Sequence, residues 1–117
     1  MGDDDITQPI IPKGTKVEFE SLDLEPGMRG EINIAPSGEM VRPKIFMSTN
    51  PKACVNVEEI WCGLKLIFSR ELQNLEGFRF GMHTQEVFGP KNPLKVIVNN
   101  LDFKITRVAV SLVVEGD

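Results

Sequence analysis

Leu94-Lys95-Val96-Ile97-Val98-Asn99-Asn100, running directly into Leu101-Asp102-Phe103-Lys104-Ile105-Thr106-Arg107-Val108-Ala109-Val110-Ser111-Leu112-Val113-Val114, is the stretch that decides the fold. Leu94, Val96 and Val98 recur every second residue, the spacing of a strand with one buried face. Asn99 and Asn100 read as a tight turn. Beyond them, residues 101–114 form the longest alternating run of the chain. Leu101, Phe103 and Ile105 share one parity, and Val108, Val110, Leu112 and Val114 share the other. Thr106 and Arg107 sit at the crossover, which is expected of a β-bulge or of a strand passing between two sheets.

The same grammar holds upstream. Val17 and Phe19 alternate with Lys16, Glu18 and Glu20, so the spacing predicts a half-buried strand with the two apolar residues inward. Pro26 and Gly27 make a turn, Ile32 and Ile34 share a face after Gly30, and Pro36-Ser37-Gly38 turns the chain again. Residues 40–48 read as a third strand, its first half at an edge or bulge because Pro43 cannot donate to a ladder. Val55 and Val57 share one parity and Ile60 and Cys62 the other, which predicts a bulge near Glu58 and Glu59. Leu64, Phe68, Leu72 and Leu75 have the spacing of an amphipathic helix. Turn signals on both sides favour a strand to about Phe68, then a loop or single helical turn to Glu76. Phe78 and Phe80 alternate with Arg79, and Val87-Phe88 precede a Gly89-Pro90 turn. The sum is some eight short strands with no long helix and no repeat. That predicts an all-β fold: a two-sheet antiparallel sandwich of jelly-roll or related Greek-key topology, or a small barrel.

Length and composition agree. A chain of 117 residues, 41% hydrophobic and 26% charged, has the make-up of one globular domain. It can bury roughly two-thirds of its unfolded surface without metal or disulfide staples. Residues 14–117 are read as the sandwich and 1–13 as an extended arm, since Pro9 and Pro12 exclude helix and central strand. Ile6, Ile10 and Ile11 are apolar within that acidic arm. Two readings stand: an arm that docks on its own domain or on a neighbour, and a frayed terminus. The net charge of −4, with thirteen basic residues scattered along the chain, gives no footprint for nucleic acid. No apolar run approaches the ~18 residues needed to span a bilayer, and the acidic N-terminus is not that of a signal peptide.

Chemistry is sparse. His83 is the only histidine, so any Ser–His–acid or Cys–His arrangement must use it, with Glu86 to orient it. A lone histidine beside Gly81 reads instead as an exposed loop residue. Cys54 and Cys62 face each other only if the intervening chain folds back as a hairpin; otherwise they are two reduced, half-buried thiols. Two cysteines and one histidine do not complete a zinc tetrahedron, and Asp3-Asp4-Asp5 lacks the spacing of a calcium loop. Glu58 and Glu59 point to opposite faces of a regular strand unless a bulge intervenes. Arg42 and Lys44 flank Pro43 on one strand face, either as an anion contact or as a solvated edge that discourages aggregation. Trp61 is expected to plug the core between the sheets. Neither a catalytic group nor a metal or cofactor site is expected.

The series Val41-Arg42-Pro43-Lys44, Val57-Glu58-Glu59-Ile60-Trp61-Cys62-Gly63, Glu86-Val87-Phe88-Gly89-Pro90 and Val96-Ile97-Val98-Asn99-Asn100 resembles small bacteriophage virion (capsid-associated) proteins with a single jelly roll. The resemblance covers the chain from about residue 27 onward and transfers no functional residue. It implies a non-enzymatic structural or assembly protein of a phage particle, made in the host cytoplasm and located in the virion. Such a protein associates with itself, as a trimer or pentamer, or with a major shell protein. The rival expectation is a ligand-recognition sandwich whose loops bind a carbohydrate or receptor. It is weakened by a single Trp and no Tyr for stacking on sugar rings.

The arm yields the first test. Deleting residues 1–12 is expected to reduce the assembly size seen by light scattering while the melting temperature of the subunit holds. A lower melting temperature with unchanged size means that the arm packs on its own domain. No change in either means that it dangles.

Overall fold

The computed structural model describes residues 15–50, 53–69, 74–76 and 79–116. Their eleven strands are β1 (Lys16–Leu24), β2 (Arg29–Ile34), β3 (Met40–Val41), β4 (Lys44–Thr49), β5 (Cys54–Cys62), β6 (Lys65–Ser69), β7 (Asn74–Glu76), β8 (Arg79–His83), β9 (Val87–Phe88), β10 (Leu94–Asn100) and β11 (Thr106–Val114). The first pairs with the last, β2 with β10, β3 with β9, β4 with β8, and β5 with β6 and β7, all antiparallel. The chain is thus one long antiparallel ribbon, doubled back around β5–β7 and rolled. Rolling adds the pairs β11–β4 and β10–β5, giving sheet orders β1-β11-β4-β8 and β2-β10-β5-β6, with β3-β9 as a small third sheet. That is the jelly roll: two antiparallel sheets packed face to face.

The core lies between the sheets. Val108, Val110 and Leu112 project from β11, Ile45 and Met47 from β4, Leu94, Val96 and Val98 from β10, and Val55, Val57 and Ile60 from β5. Burying each such side chain contributes about 1.5–3 kcal/mol. The bulge expected in β5 is there. Ile97 faces Glu59 and Val98 faces Val57, so Glu58 is the extra residue. It lets Val55 and Val57 share the inner face with Ile60 and Cys62 despite their opposite parity.

Several expectations change. The run 40–48 is two strands in two sheets, because Arg42 takes a left-handed φ of 50° and Pro43 follows it. The amphipathic-helix spacing of 64–76 does not produce a helix in the described part: residues 74–76 pair with β5 as β7, not as a loop or helical turn. Trp61 is not in the core. Its strand parity, fixed by the bulge, turns it to the outer face of the second sheet, where Lys95 Nζ lies 5.0 Å from the ring centroid. Cys54 and Cys62 are free thiols at opposite ends of β5, with no hairpin between them.

The stretch 94–114 holds the largest revision. Asn99 and Asn100 finish β10 instead of turning, and residues 101–105 are a loop that carries the chain from the second sheet to the first. The parity change at Thr106 therefore needs no bulge. Asn100 is fully buried and organises this end. Its Nδ2 donates to Leu24 O at 3.0 Å, Glu25 O at 3.3 Å and Lys104 O at 3.0 Å, and its Oδ1 accepts from Asp102 N at 2.9 Å. The turn below it is built by Pro26 and Gly27: Gly27 has φ 74°, which a Pro-Gly type II turn requires, and its N–H reaches Asn100 O at 2.8 Å. Gly30 is a second place where a side chain is excluded, since a Cβ there would collide with the Leu22 and Leu24 side chains.

Asn100→Ala strips those backbone groups of a partner at a buried position, at a cost of about 1–3 kcal/mol. Urea unfolding is expected to show a lower midpoint with an unchanged slope.

Candidate functional site

The first strand departs from its expected orientation, and the departure creates the most distinctive surface of the molecule. β1 pairs with β11 without interruption from Lys16↔Val114 to Leu24↔Thr106. Residues directly opposite share a face, so Glu18, Glu20, Leu22 and Leu24 lie on the side of Val108, Val110 and Leu112. Val17 and Phe19 lie on the outer side, the reverse of the sequence reading. They are 47% and 62% exposed. β1 has the same conflict as β5, with apolar residues on one parity at Val17 and Phe19 and on the other at Leu22 and Leu24. It has no bulge to resolve it. Leu22 and Leu24, packed against Gly30 of β2, take the inside.

Register then extends the outer face across the sheet. Phe19 faces Ser111, Ser111 faces Phe46, and Phe46 faces Gly81. Phe46 is 43% exposed, and its ring leans over Gly81, 3.5 Å from where a Cβ would stand. Ser21, Ala109 and Ser48 form the neighbouring row, and Val17 with Val113 the row on the other side. The result is a shelf of small residues with two phenyl rings standing on it. At its margins Arg107 holds Asp23 bidentately, at 2.8 and 3.2 Å, and Lys44 reaches Glu115 at 3.3 Å. The Arg107 hydrogen bond keeps the Asp23 carboxyl below the usual carboxylate range.

The outer face of the second sheet is different. Glu31, Asn33, Lys95, Trp61 and Glu59 line it, with Ile97 and Leu66 among them. Lys95 stacks on Trp61, Trp61 Nε1 donates to Glu59 at 2.9 Å, and Arg29 pairs with Glu58 at 2.7 Å. Those groups satisfy one another, and Glu58 and Glu59 serve separate partners instead of acting as a carboxylate pair.

The other candidates are dispersed. His83 ends β8, exposed, and is a strand residue, not a loop one. Glu86 is engaged by Lys65 at 3.1 Å. Cys62 is buried and its Sγ–H points at Val87 O, 3.5 Å away; burial, and secondarily Glu86, push its thiol pKa up, away from a nucleophilic thiolate. Arg42 lies in the corner between β3 and β4, where its N–H donates to Glu86 O at 2.8 Å, so it does not share a strand face with Lys44. Among the described residues no three His, Cys, Asp or Glu side chains converge as a metal site. The arm residues Ile6, Ile10 and Ile11 lie outside the described residues.

No protein-family model matches this chain. No curated protein sequence matches it either. Among solved structures it is similar to a de novo designed double-stranded β-helix determined by solution NMR, at 16% identity and a TM-score of 0.38, over 81% of this chain and 97% of that one.

The thiol environments predict a reactivity order. In native protein at mildly alkaline pH, iodoacetamide is expected to modify Cys54 before Cys62, with the difference abolished in denaturant; peptide mass spectrometry reads both sites.

Proposed function

We propose that this protein is a non-enzymatic assembly protein that works by self-association through the outer face of its first sheet. The observation that carries the reading is the unbulged β1. The chain uses a bulge in β5 to bring Val55, Val57, Ile60 and Cys62 to one inner face, yet leaves Val17 and Phe19 outside on β1, across Ser111 from Phe46 on a shelf of Ser, Ala and Gly. Contiguous exposed apolar surface of this kind marks an interaction site. Small residues around the rings let a partner backbone approach closely.

A second copy is the occupant that the charges favour. Two ion pairs, Asp23–Arg107 and Lys44–Glu115, neutralise charges at the margins of the shelf within the chain, which lessens like-charge opposition where two such faces meet. Flat aromatic surface buried at the centre of an interface is also where binding energy concentrates. The proposed role as a capsid-associated protein of a phage particle draws its support from the resemblance of the sequence to such virion proteins, with which a jelly roll is consistent. A face that meets its own copy makes a two-fold dimer, and the trimer or pentamer expected from the resemblance needs a contact between different surfaces besides.

The test is Phe19→Ser combined with Phe46→Ser. Phe19 is mostly in water and Phe46 a little under half so, so the subunit is expected to stay folded with a loss of about 1 kcal/mol, checked by its melting transition. Light scattering coupled to size-exclusion chromatography is expected to show an oligomer for the natural chain and a smaller species for the variant. A natural chain that elutes as a clean monomer at micromolar concentration overturns the reading, as does a variant whose mass is unchanged.

A further inference from the structure

A second apolar surface lies at the end of the sandwich, on loops and not on a sheet face. Phe103 is 98% exposed at the tip of the 101–105 loop, flanked by Leu101 and Ile105 and neighboured by Met28 of the β1–β2 turn, all exposed. The loop is held, not loose. Leu101 N donates to Cys54 O at 2.9 Å, Asp102 accepts from Cys54 N at 3.2 Å and from Phe103 N at 2.7 Å, and Asn100 clasps Lys104 O. A phenyl ring carried on a backbone already held in place costs no loop ordering when something covers it, only the freedom of its own side chain.

The opposite end of the same strand, β10, is concave. There the hairpin bridge between Gly89 and Asn92 and the neighbouring Glu39 frame an open recess of about 440 Å³, floored by buried Phe88 and walled by Val87 and Pro90. Val41, cross-strand from Val87, and Leu64 in the adjoining β5–β6 turn extend the apolar surface around it. The charges also alternate. Lys104 and Glu25 flank the tip, Glu39 and Lys91 flank the recess, and none of the four makes an ion pair with another described residue.

We propose that copies of this chain also join end to end, the Phe103 tip of one seated in the Val87–Asn92 recess of the next. The contact is heterologous, so it propagates into a ring or a stack instead of stopping at a pair. Lys104 meets Glu39 and Glu25 meets Lys91 at its rim, which fixes the direction of stacking. This surface is separate from the Phe19–Phe46 shelf and does not rest on the reading given to that shelf.

The experiment uses the full chain with Phe19→Ser and Phe46→Ser as background, so that the sheet face is silenced. If the sheet-face reading has failed, the natural chain serves equally. A tip variant adds Phe103→Ser and Ile105→Ser; a recess variant adds Val87→Asp, with Lys91→Glu as a second recess variant should Val87→Asp lower the melting temperature. Sedimentation velocity is expected to show concentration-dependent association of the background. Each variant alone should be weaker by at least about tenfold in dissociation constant. Tip and recess variants mixed should form a one-to-one dimer and nothing larger, since each retains one intact end. A background that stays monomeric overturns the proposal. So does a tip variant that associates like the background, or a recess variant that still dimerises alone, which means tip-to-tip contact. Co-sedimentation of the background with phosphatidylcholine vesicles, lost in the tip variant and without end-to-end association, also overturns it, in favour of a lipid surface.

Discussion

The pairing of β1 with β11 closes the roll, and its register decides the character of the whole surface. Nine residues of the first strand lie against nine of the last without a slip. Side chains alternate with period two, so shifting this register by one residue would exchange every inner and outer side chain of β1. Leu22 and Leu24 lie where the second sheet covers the strand, with Gly30 directly against them. Placing them inside obliges Val17 and Phe19 to face water. Glu18, on the inner parity, is tolerated because β1 there borders an open recess of about 280 Å³ beside the 36–40 loop, not the sealed core.

This choice leaves two outer faces of different character on one thin sandwich. The second sheet presents ionic and hydrogen-bonded groups that already satisfy one another, with the aromatic face of Trp61 taken by Lys95. The first presents Phe19, Phe46 and small side chains, with the Asp23–Arg107 and Lys44–Glu115 pairs at its margin. A sugar-binding reading needs an unoccupied aromatic plane among polar groups, and Trp61 is not one. An assembly reading needs neutral apolar area, and the first sheet has it. The two ends differ in the same way: a fixed apolar tip built on the Asn100 hydrogen bonds, and a recess built around the β9–β10 hairpin.

The nested pairing explains why these features sit apart. In a rolled ribbon, neighbouring strands come from distant parts of the chain, so each face is composed from several segments. The Phe19–Ser111–Phe46–Gly81 row draws on four strands. The end surfaces, by contrast, are made of turns, each contributed by a few consecutive residues.

The all-β class, the positions of most strands and the β5 bulge were legible in the sequence by itself, because period-two alternation and Gly, Pro and Asn turn chemistry are local properties of the backbone. The parity switch at Glu58 and Glu59 announced its bulge for that reason. Tertiary structure alone decided which parity faces inward on β1, since that depends on what lies across the sheet from Leu22 and Leu24. It likewise decided that Trp61 faces out, because the bulge that brings Ile60 and Cys62 inside turns its neighbour away. It also decided that Leu101, Phe103 and Ile105 alternate like a strand yet form a loop: the Asn100 side chain ties backbone groups of that loop to those at the end of β1, and the chain must cross from one sheet to the other. A local pattern records how a side chain alternates with its neighbours; only packing decides which side has a partner.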